Sequence, residues 1–140
     1  MMKDPVKILL IDDDVDFIEI SKLSLAGSGY QVFSAGNAKE GWKMIEDETP
    51  DLIILDLMME SLDSGIKLSQ QIKNHPRYAS IPILMLTSIS RDTGMDFTPR
   101  TREDLKQLHV DDFCTKPIKP KALIEIIKKL LSRNLKKEMP

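Results

Sequence analysis

The amino-acid sequence predicts an α/β fold: a doubly wound, five-stranded parallel sheet with helices on both faces. Three observations predict it. Strand-like apolar runs alternate with stretches of helical periodicity from end to end, and elements alternating at this length build parallel sheets through right-handed crossovers. The runs are continuously apolar, as expected for strands buried on both faces. Four of them also stop at chemically capable residues. Lys7-Ile8-Leu9-Leu10-Ile11 ends in Asp12-Asp13-Asp14, Leu52-Ile53-Ile54-Leu55 in Asp56, Ile81-Pro82-Ile83-Leu84-Met85-Leu86 in Thr87-Ser88, and Asp112-Phe113-Cys114-Thr115 in Lys116-Pro117. In a parallel sheet all four endings share the carboxyl edge, where open α/β folds carry their sites.

Residues 6–12 form the first apolar run, and Asp14 is suited to cap the helix after it, where Phe17, Ile18, Ser21, Leu25 and Ser28 recur at helical spacing. Gly27 and Gly29 end that helix. Tyr30 to Ala35 reads as a second strand, followed by Asn37 as cap for a helix with Ala38, Gly41, Trp42 and Ile45 on its apolar face, stopping before Pro50. Leu52 to Asp56 is the third strand. After a loop over Leu57–Ser64, Ile66, Leu68 and Ile72 mark a helix that ends before Pro76. Ile81 to Thr87 is the fourth strand, with Pro82 acceptable at its start. Asp112 to Thr115 is a short fifth. Pro120 favours the opening of a last helix with Leu123, Ile126, Ile127, Leu130 and Leu131 as its stripe. Residues 89–111 break the pattern: Ser90-Arg91-Asp92-Thr93-Gly94 and Thr98-Pro99-Arg100 interrupt any period, so the helix between the fourth and fifth strands is expected to be short or irregular, over 101–108 at most.

The 140 residues fit one domain, with a core over about 6–131 and a solvated basic tail over 132–140. A composition of 41% hydrophobic and 30% charged residues with formal net charge −2 supplies no basic face for nucleic acid. Cys114 is the single cysteine, which excludes an internal disulfide and suits a reducing compartment. Met1-Met2-Lys3-Asp4-Pro5 lacks the apolar stretch of a signal peptide, and no run approaches the roughly 20 apolar residues of a membrane helix. The expectation is a cytoplasmic domain that does not engage membranes.

Asp12-Asp13-Asp14 has a plain reading as helix capping, acids answering the first amides and the dipole of the next helix. One Asp would suffice for that, and adjacent carboxylates repel unless something neutralises them, so a divalent cation is the economical alternative. Asp56 read alone is a turn residue. Across the sheet edge from Asp12 and Asp13 it becomes a third carboxylate for a magnesium site, and a metal-screened carboxylate can attack phosphorus. Thr87 is either a β-branched strand residue or a hydroxyl donor. Lys116 is either a surface lysine or a cation aimed into the acidic cluster, where it would offset charge and bind phosphoryl oxygen. An X-Pro bond can be cis, which would set the direction of the Lys116 side chain.

Asp12-Asp13, Asp56, Thr87 and Lys116-Pro117, each closing an apolar run in this order, resemble the receiver domain of bacterial two-component response regulators, over roughly residues 6–131. The resemblance implies the CheY-like, flavodoxin-like strand order 2-1-3-4-5. It implies that Asp56 accepts a phosphoryl group from a histidine kinase or a histidine phosphotransfer protein. Mg²⁺ would be bound by Asp13 and Asp56 directly, by Asp12 through water and by the main-chain carbonyl of Met58. Thr87 and Lys116 would each engage a phosphoryl oxygen, and Phe113 matches the aromatic switch position, although read without the resemblance it is better explained by core packing. Such a domain is not an enzyme beyond self-phosphotransfer and autodephosphorylation. Phosphorylation would shift an inactive/active equilibrium that controls an unidentified protein target, in a stand-alone regulator or shuttle, monomeric or weakly dimeric.

Two segments depart from the family pattern. Glu60-Ser61-Leu62-Asp63-Ser64-Gly65 replaces the usual proline and tight turn and brings the glycine about one residue late. Thr87 and Lys116 are 116 − 87 = 29 residues apart, longer than the pattern calls for, and the usual Gly-Ala before the fifth strand is missing. Two other functions were weighed. A haloacid-dehalogenase-like phosphatase would use Asp12-x-Asp14, Thr87 and Lys116, but it lacks an acidic pair after the lysine and leaves Asp56 without a role. A receiver-like interaction module that takes no phosphate would work through its shape and its 89–111 segment.

Overall fold

The computed structural model describes residues 4–57, 59, 64–87 and 109–138, with side chains through residue 133. Five strands and four helices lie within them: β1 (Lys7–Ile11), α1 (Val15–Gly27), β2 (Gln31–Ala35), α2 (Ala38–Glu48), β3 (Leu52–Asp56), α3 (Ser64–Lys73), β4 (Ile83–Thr87), β5 (Asp112–Thr115) and α4 (Pro120–Glu138). All strand pairs are parallel and the order is β2-β1-β3-β4-β5. The chain runs outward from β1 to β2, then crosses back to β3 on the other side of β1. That reversal opens a crevice at the carboxyl ends of β1 and β3, where the acidic residues stand.

The strands alternate their side chains between two core layers, as the period of two requires. Leu9, Ile11, Ile53, Leu55, Ile83 and Met85 face Ile45 of α2, Leu68 and Ile72 of α3, and Tyr78. Ile8, Leu10, Ile54, Leu84 and Leu86 face Leu25 of α1 and Leu123, Ile127 and Leu130 of α4. Every residue of β3 and β4 is buried, which explains why those segments carry no polar alternation.

Both expected caps form. Asp14 Oδ1 accepts the Phe17 amide at 3.1 Å, and Asn37 Oδ1 accepts the Glu40 amide at 2.8 Å. Thr49, in the left-handed region at φ 44, ends α2 just before Pro50.

β1 and β2 are trimmed at their ends, to Lys7–Ile11 and Gln31–Ala35, and further boundaries differ from the sequence reading. β4 starts at Ile83, with Ile81 and Pro82 preceding it, although the Pro82 carbonyl still accepts the Ile53 amide at 3.0 Å. Ser28 is the exposed C-cap of α1 and not part of its buried face, which consists of Ser21 and Leu25. Ser64, read as loop, is the buried first residue of α3; its Oγ accepts the Met59 amide at 3.1 Å. The basic tail is helical, since α4 continues to Glu138 and does not stop near 131. No proline or glycine interrupts 121–138, and lysine, leucine and glutamate sustain a helix. The helix expected over 101–108 lies outside the described residues.

One polar contact joins distant parts of the fold. Lys73 Nζ, at the end of α3, donates to the Ala79 carbonyl at 3.2 Å, the Ile81 carbonyl at 2.8 Å and Asp111 Oδ2 at 2.8 Å. Asp111 Oδ2 also accepts the Ile83 amide at 2.8 Å, and the Asp111 amide donates to the Ile83 carbonyl at 2.9 Å.

Candidate functional site

Asp12 follows the last residue of β1 and is fully buried; its amide donates to the Ala35 carbonyl at 3.0 Å, which keeps the chain extended to the sheet edge. Its Oδ1 accepts the Asp14 amide at 3.0 Å. Its Oδ2 faces Lys116 Nζ at 2.6 Å, its one polar partner among the described residues. Asp13 is exposed beside it. Asp56 closes β3 and is 7% exposed, with the next amide, that of Leu57, tied to the Leu86 carbonyl at 2.9 Å. Oxygens of Asp12, Asp13 and Asp56 lie within 4.8 Å of one another.

Three carboxylates so close repel one another in a partly buried crevice unless cations answer them. Lys116 supplies one. Its ammonium stands 2.6 Å from Asp12, 3.8 Å from Asp56 Oδ2 and 4.0 Å from Asp14 Oδ2, and 4.7 Å above the centre of the Phe17 ring. Burial by itself would lower the proton affinity of this amine; the close Asp12 carboxylate and the charges of Asp56, Asp12 and Asp14 outweigh it and hold the lysine above its ordinary range. The Lys116–Pro117 peptide bond is cis.

Thr87, the last residue of β4, is buried, and its Oγ1 donates to the Cys114 carbonyl at 3.4 Å. The Thr87 carbonyl accepts the Lys116 amide at 2.7 Å, so hydroxyl and lysine are mounted on one β4–β5 pair. Phe113 lies elsewhere: half-buried, it sits opposite Met85 and packs against the core layer under α2 and α3. Beneath the thiol-bearing strand position, burial and the neighbouring Asp112 push Cys114 up to about 12, with Lys116 acting the other way. A buried thiol held protonated in this way is a weak nucleophile.

The structure brings Asp12, Asp13, Asp56 and Lys116 together, and Thr87 ends the strand beside the one that leads to Lys116. Met58, whose carbonyl was expected to bind metal, lies outside the described residues, as do Glu60 and Asp63. Two participants were missed. Asp14 was read as a cap and as one of a run of acids, and the facing of its second oxygen to Lys116 at 4.0 Å was not foreseen; Phe17 was read as helix face, yet its ring underlies the ammonium. Only the run of three acids hinted at the first, and nothing local signals the second.

The donor set fits Mg²⁺. All the available ligand atoms are hard carboxylate oxygens, and opposite ligands around that ion stand about 4.2 Å apart at ordinary Mg–O distances. A spread within 4.8 Å needs little adjustment to meet it.

The family profile of the response regulator receiver domain matches residues 8–128. The chain is 35% identical over 91% of its length to the alkaline phosphatase synthesis transcriptional regulatory protein PhoP of Bacillus subtilis, and 33% identical over 90% to the phosphate regulon transcriptional regulatory protein PhoB of Pseudomonas aeruginosa. It covers 49% and 52% of those proteins, so the chain spans about half the length of the curated relatives it matches. Among solved structures, it is similar to a CheY-like receiver domain protein from Methanospirillum hungatei (TM-score 0.79, 25% identity, 96% of this chain and 99% of that one). It is similar also to a response regulator from Chloroflexus aurantiacus (TM-score 0.77, 29% identity, 92% and 99%). Fold, acidic crevice and sequence agree: the chain belongs to the response regulator receiver domain family.

Proposed function

We propose that Asp56 is the phosphoacceptor of this receiver and that residues 1–140 act as one signalling domain. The observation that carries the reading is the convergence of Asp12, Asp13 and Asp56 oxygens within 4.8 Å beneath the Lys116 ammonium. An Asp56 oxygen attacks phosphorus of a phosphohistidine carried by a histidine kinase or phosphotransfer protein. The P–N bond breaks, and its electron pair returns to the imidazole, which takes up a proton. Asp12, Asp13 and Asp56 would hold Mg²⁺, which when bound offsets the charge of the acidic cluster and of the phosphoryl oxygens. Lys116 turns from Asp12 toward a phosphoryl oxygen, and Thr87 Oγ1 leaves the Cys114 carbonyl for another. These shifts at the sheet edge bias the inactive/active equilibrium toward the form that a protein partner binds.

The chemistry takes place on the protein's own side chain, so turnover is limited to self-phosphorylation and slow hydrolysis. A phosphatase of the haloacid-dehalogenase kind is disfavoured by Asp14, whose Oδ1 is committed to capping α1. Acetyl phosphate with Mg²⁺ tests the proposal: wild type should gain the mass of one phosphate, labile to hydroxylamine, and Asp56→Ala should gain none. Equal gain in both proteins sinks the assignment. No gain in either leaves the interaction-module function in its place.

A further inference from the structure

We infer that Phe17 is a positioning residue for Lys116, an aromatic platform that holds the ammonium over the acidic crevice. This rests on the reading of Lys116 as the phosphoryl-binding cation. The ammonium stands 4.7 Å from the centre of the Phe17 ring, within the range of cation–π attraction. Its charged side is occupied by Asp12 at 2.6 Å, with Asp56 and Asp14 farther off at 3.8 and 4.0 Å. The ring closes another side, where water would otherwise solvate the charge. Lys116 is 17% exposed, so this covering matters to its energy.

Phe17 is itself fixed. Its amide donates to Asp14 Oδ1 at 3.1 Å, and its ring packs against the core layer between α1 and α4. Asp14 therefore anchors the platform with one oxygen and attracts the lysine with the other. When the lysine leaves Asp12 for a phosphoryl oxygen on Asp56, it needs to keep a favourable surface along its path. A ring face supplies attraction with no direction of its own, so it steadies the ammonium without binding it to the resting position. A leucine of similar volume would fill the space but give no such attraction.

The test uses the full chain as wild type, Phe17→Leu and Phe17→Tyr, with thermal midpoints confirming that all fold. In wild type, ring current shifts the Lys116 ε-methylene NMR signals upfield, identified by their loss in Lys116→Arg. Phe17→Leu abolishes the shift, and Phe17→Tyr keeps it. Phosphorylation by acetyl phosphate at saturating Mg²⁺ slows about fivefold in Phe17→Leu, the size expected for one cation–π contact. The rate recovers in Phe17→Tyr. A wild-type protein without the ring-current shift overturns the inference, as do equal phosphorylation rates in wild type and Phe17→Leu. Failure of wild type to take phosphate at all overturns the phosphoacceptor reading instead, and the ring-current measurement then decides the platform separately.

Discussion

At Lys116 one ammonium faces Asp12, Asp56 and Asp14, and Asp12 has no exposure through which water could replace it. Substitutions on the two sides of this balance should act in opposite directions. Lys116→Met leaves Asp12 as an uncompensated buried charge and should lower stability by about 3 kcal/mol in Mg²⁺-free urea titration. Added Mg²⁺ should restore part of the loss. Asp13→Asn removes one of the repelling carboxylates and should raise the thermal midpoint while weakening Mg²⁺ binding, since sites built for function are held at a cost in stability. A lower midpoint for Asp13→Asn would contradict the repulsion argument. These carboxylates were legible in the sequence because each one ends an apolar run, and the sheet edge then groups them. The Phe17 platform was not. Phe17 and Lys116 are brought together only by the packing of α1 beside the β5 end, and a phenylalanine at helical spacing reads as core.

Among the elements, α3 sets the position of Asp56 most directly. Gly65, at its start, donates its amide to the Leu57 carbonyl at 3.0 Å. A Cβ there would run into the Asp56 carbonyl oxygen and lie 2.6 Å from the Leu57 carbonyl oxygen and 2.7 Å from its Cα. These neighbours are backbone and cannot step aside without moving Asp56, the proposed phosphoacceptor. Gly41 on α2 is tight as well, but a Cβ there meets only the Ile11 side chain, at 2.7 Å from Cδ1. Gly65→Ala should therefore cost about 3 kcal/mol, the upper range for overpacking, and Gly41→Ala nearer to 1. Phosphorylation should fall sharply only in Gly65→Ala; equal loss in both would show that α3 does not position Asp56. The glycine is visible in the sequence, but its contact with β3 is not, because it depends on how the start of α3 settles against the end of β3. The basic tail after Ser132 also carries helix, because helix propensity continues without a breaker to Glu138.

For the molecule as a whole, the acid–base balance sets an alkaline limit. Cys114 is pushed up to about 12 by burial and by Asp112, Lys116 is raised above its ordinary range by its carboxylate neighbours against the effect of burial, and burial raises Tyr30. In the unfolded chain each of these groups releases its proton at a lower pH than in the native state. The native protein then holds more protons, and stability falls as pH rises. The fall should begin near the ordinary cysteine value of about 8.5 and continue toward 12 as the amine and the phenol follow. Urea midpoints measured from pH 7 to 11 should decline, and Cys114→Ala should flatten the first part of that decline. The parallel sheet, the two-layer core and the carboxyl-edge site followed from the alternation of apolar runs, whereas the strand order came from the resemblance of the strand-ending residues to the receiver family. Contacts between elements far apart in sequence depend on how the layers settle, and periodicity carries no record of them.

The three-acceptor anchor of Lys73 has a consequence for how this chain can vary. Asp111 is fastened to Ile83 in both directions and to Lys73 besides, so β4 and α3 both hold the start of β5. With both attachment points secured, lengthening the connection changes only its closure entropy, about 0.6 kcal/mol for each doubling. Natural insertion or grafted peptide between Thr87 and Asp111 is thus a graft onto fixed stock: the connecting sequence can diverge, grow or be exchanged for another while β4 and β5 stay in register.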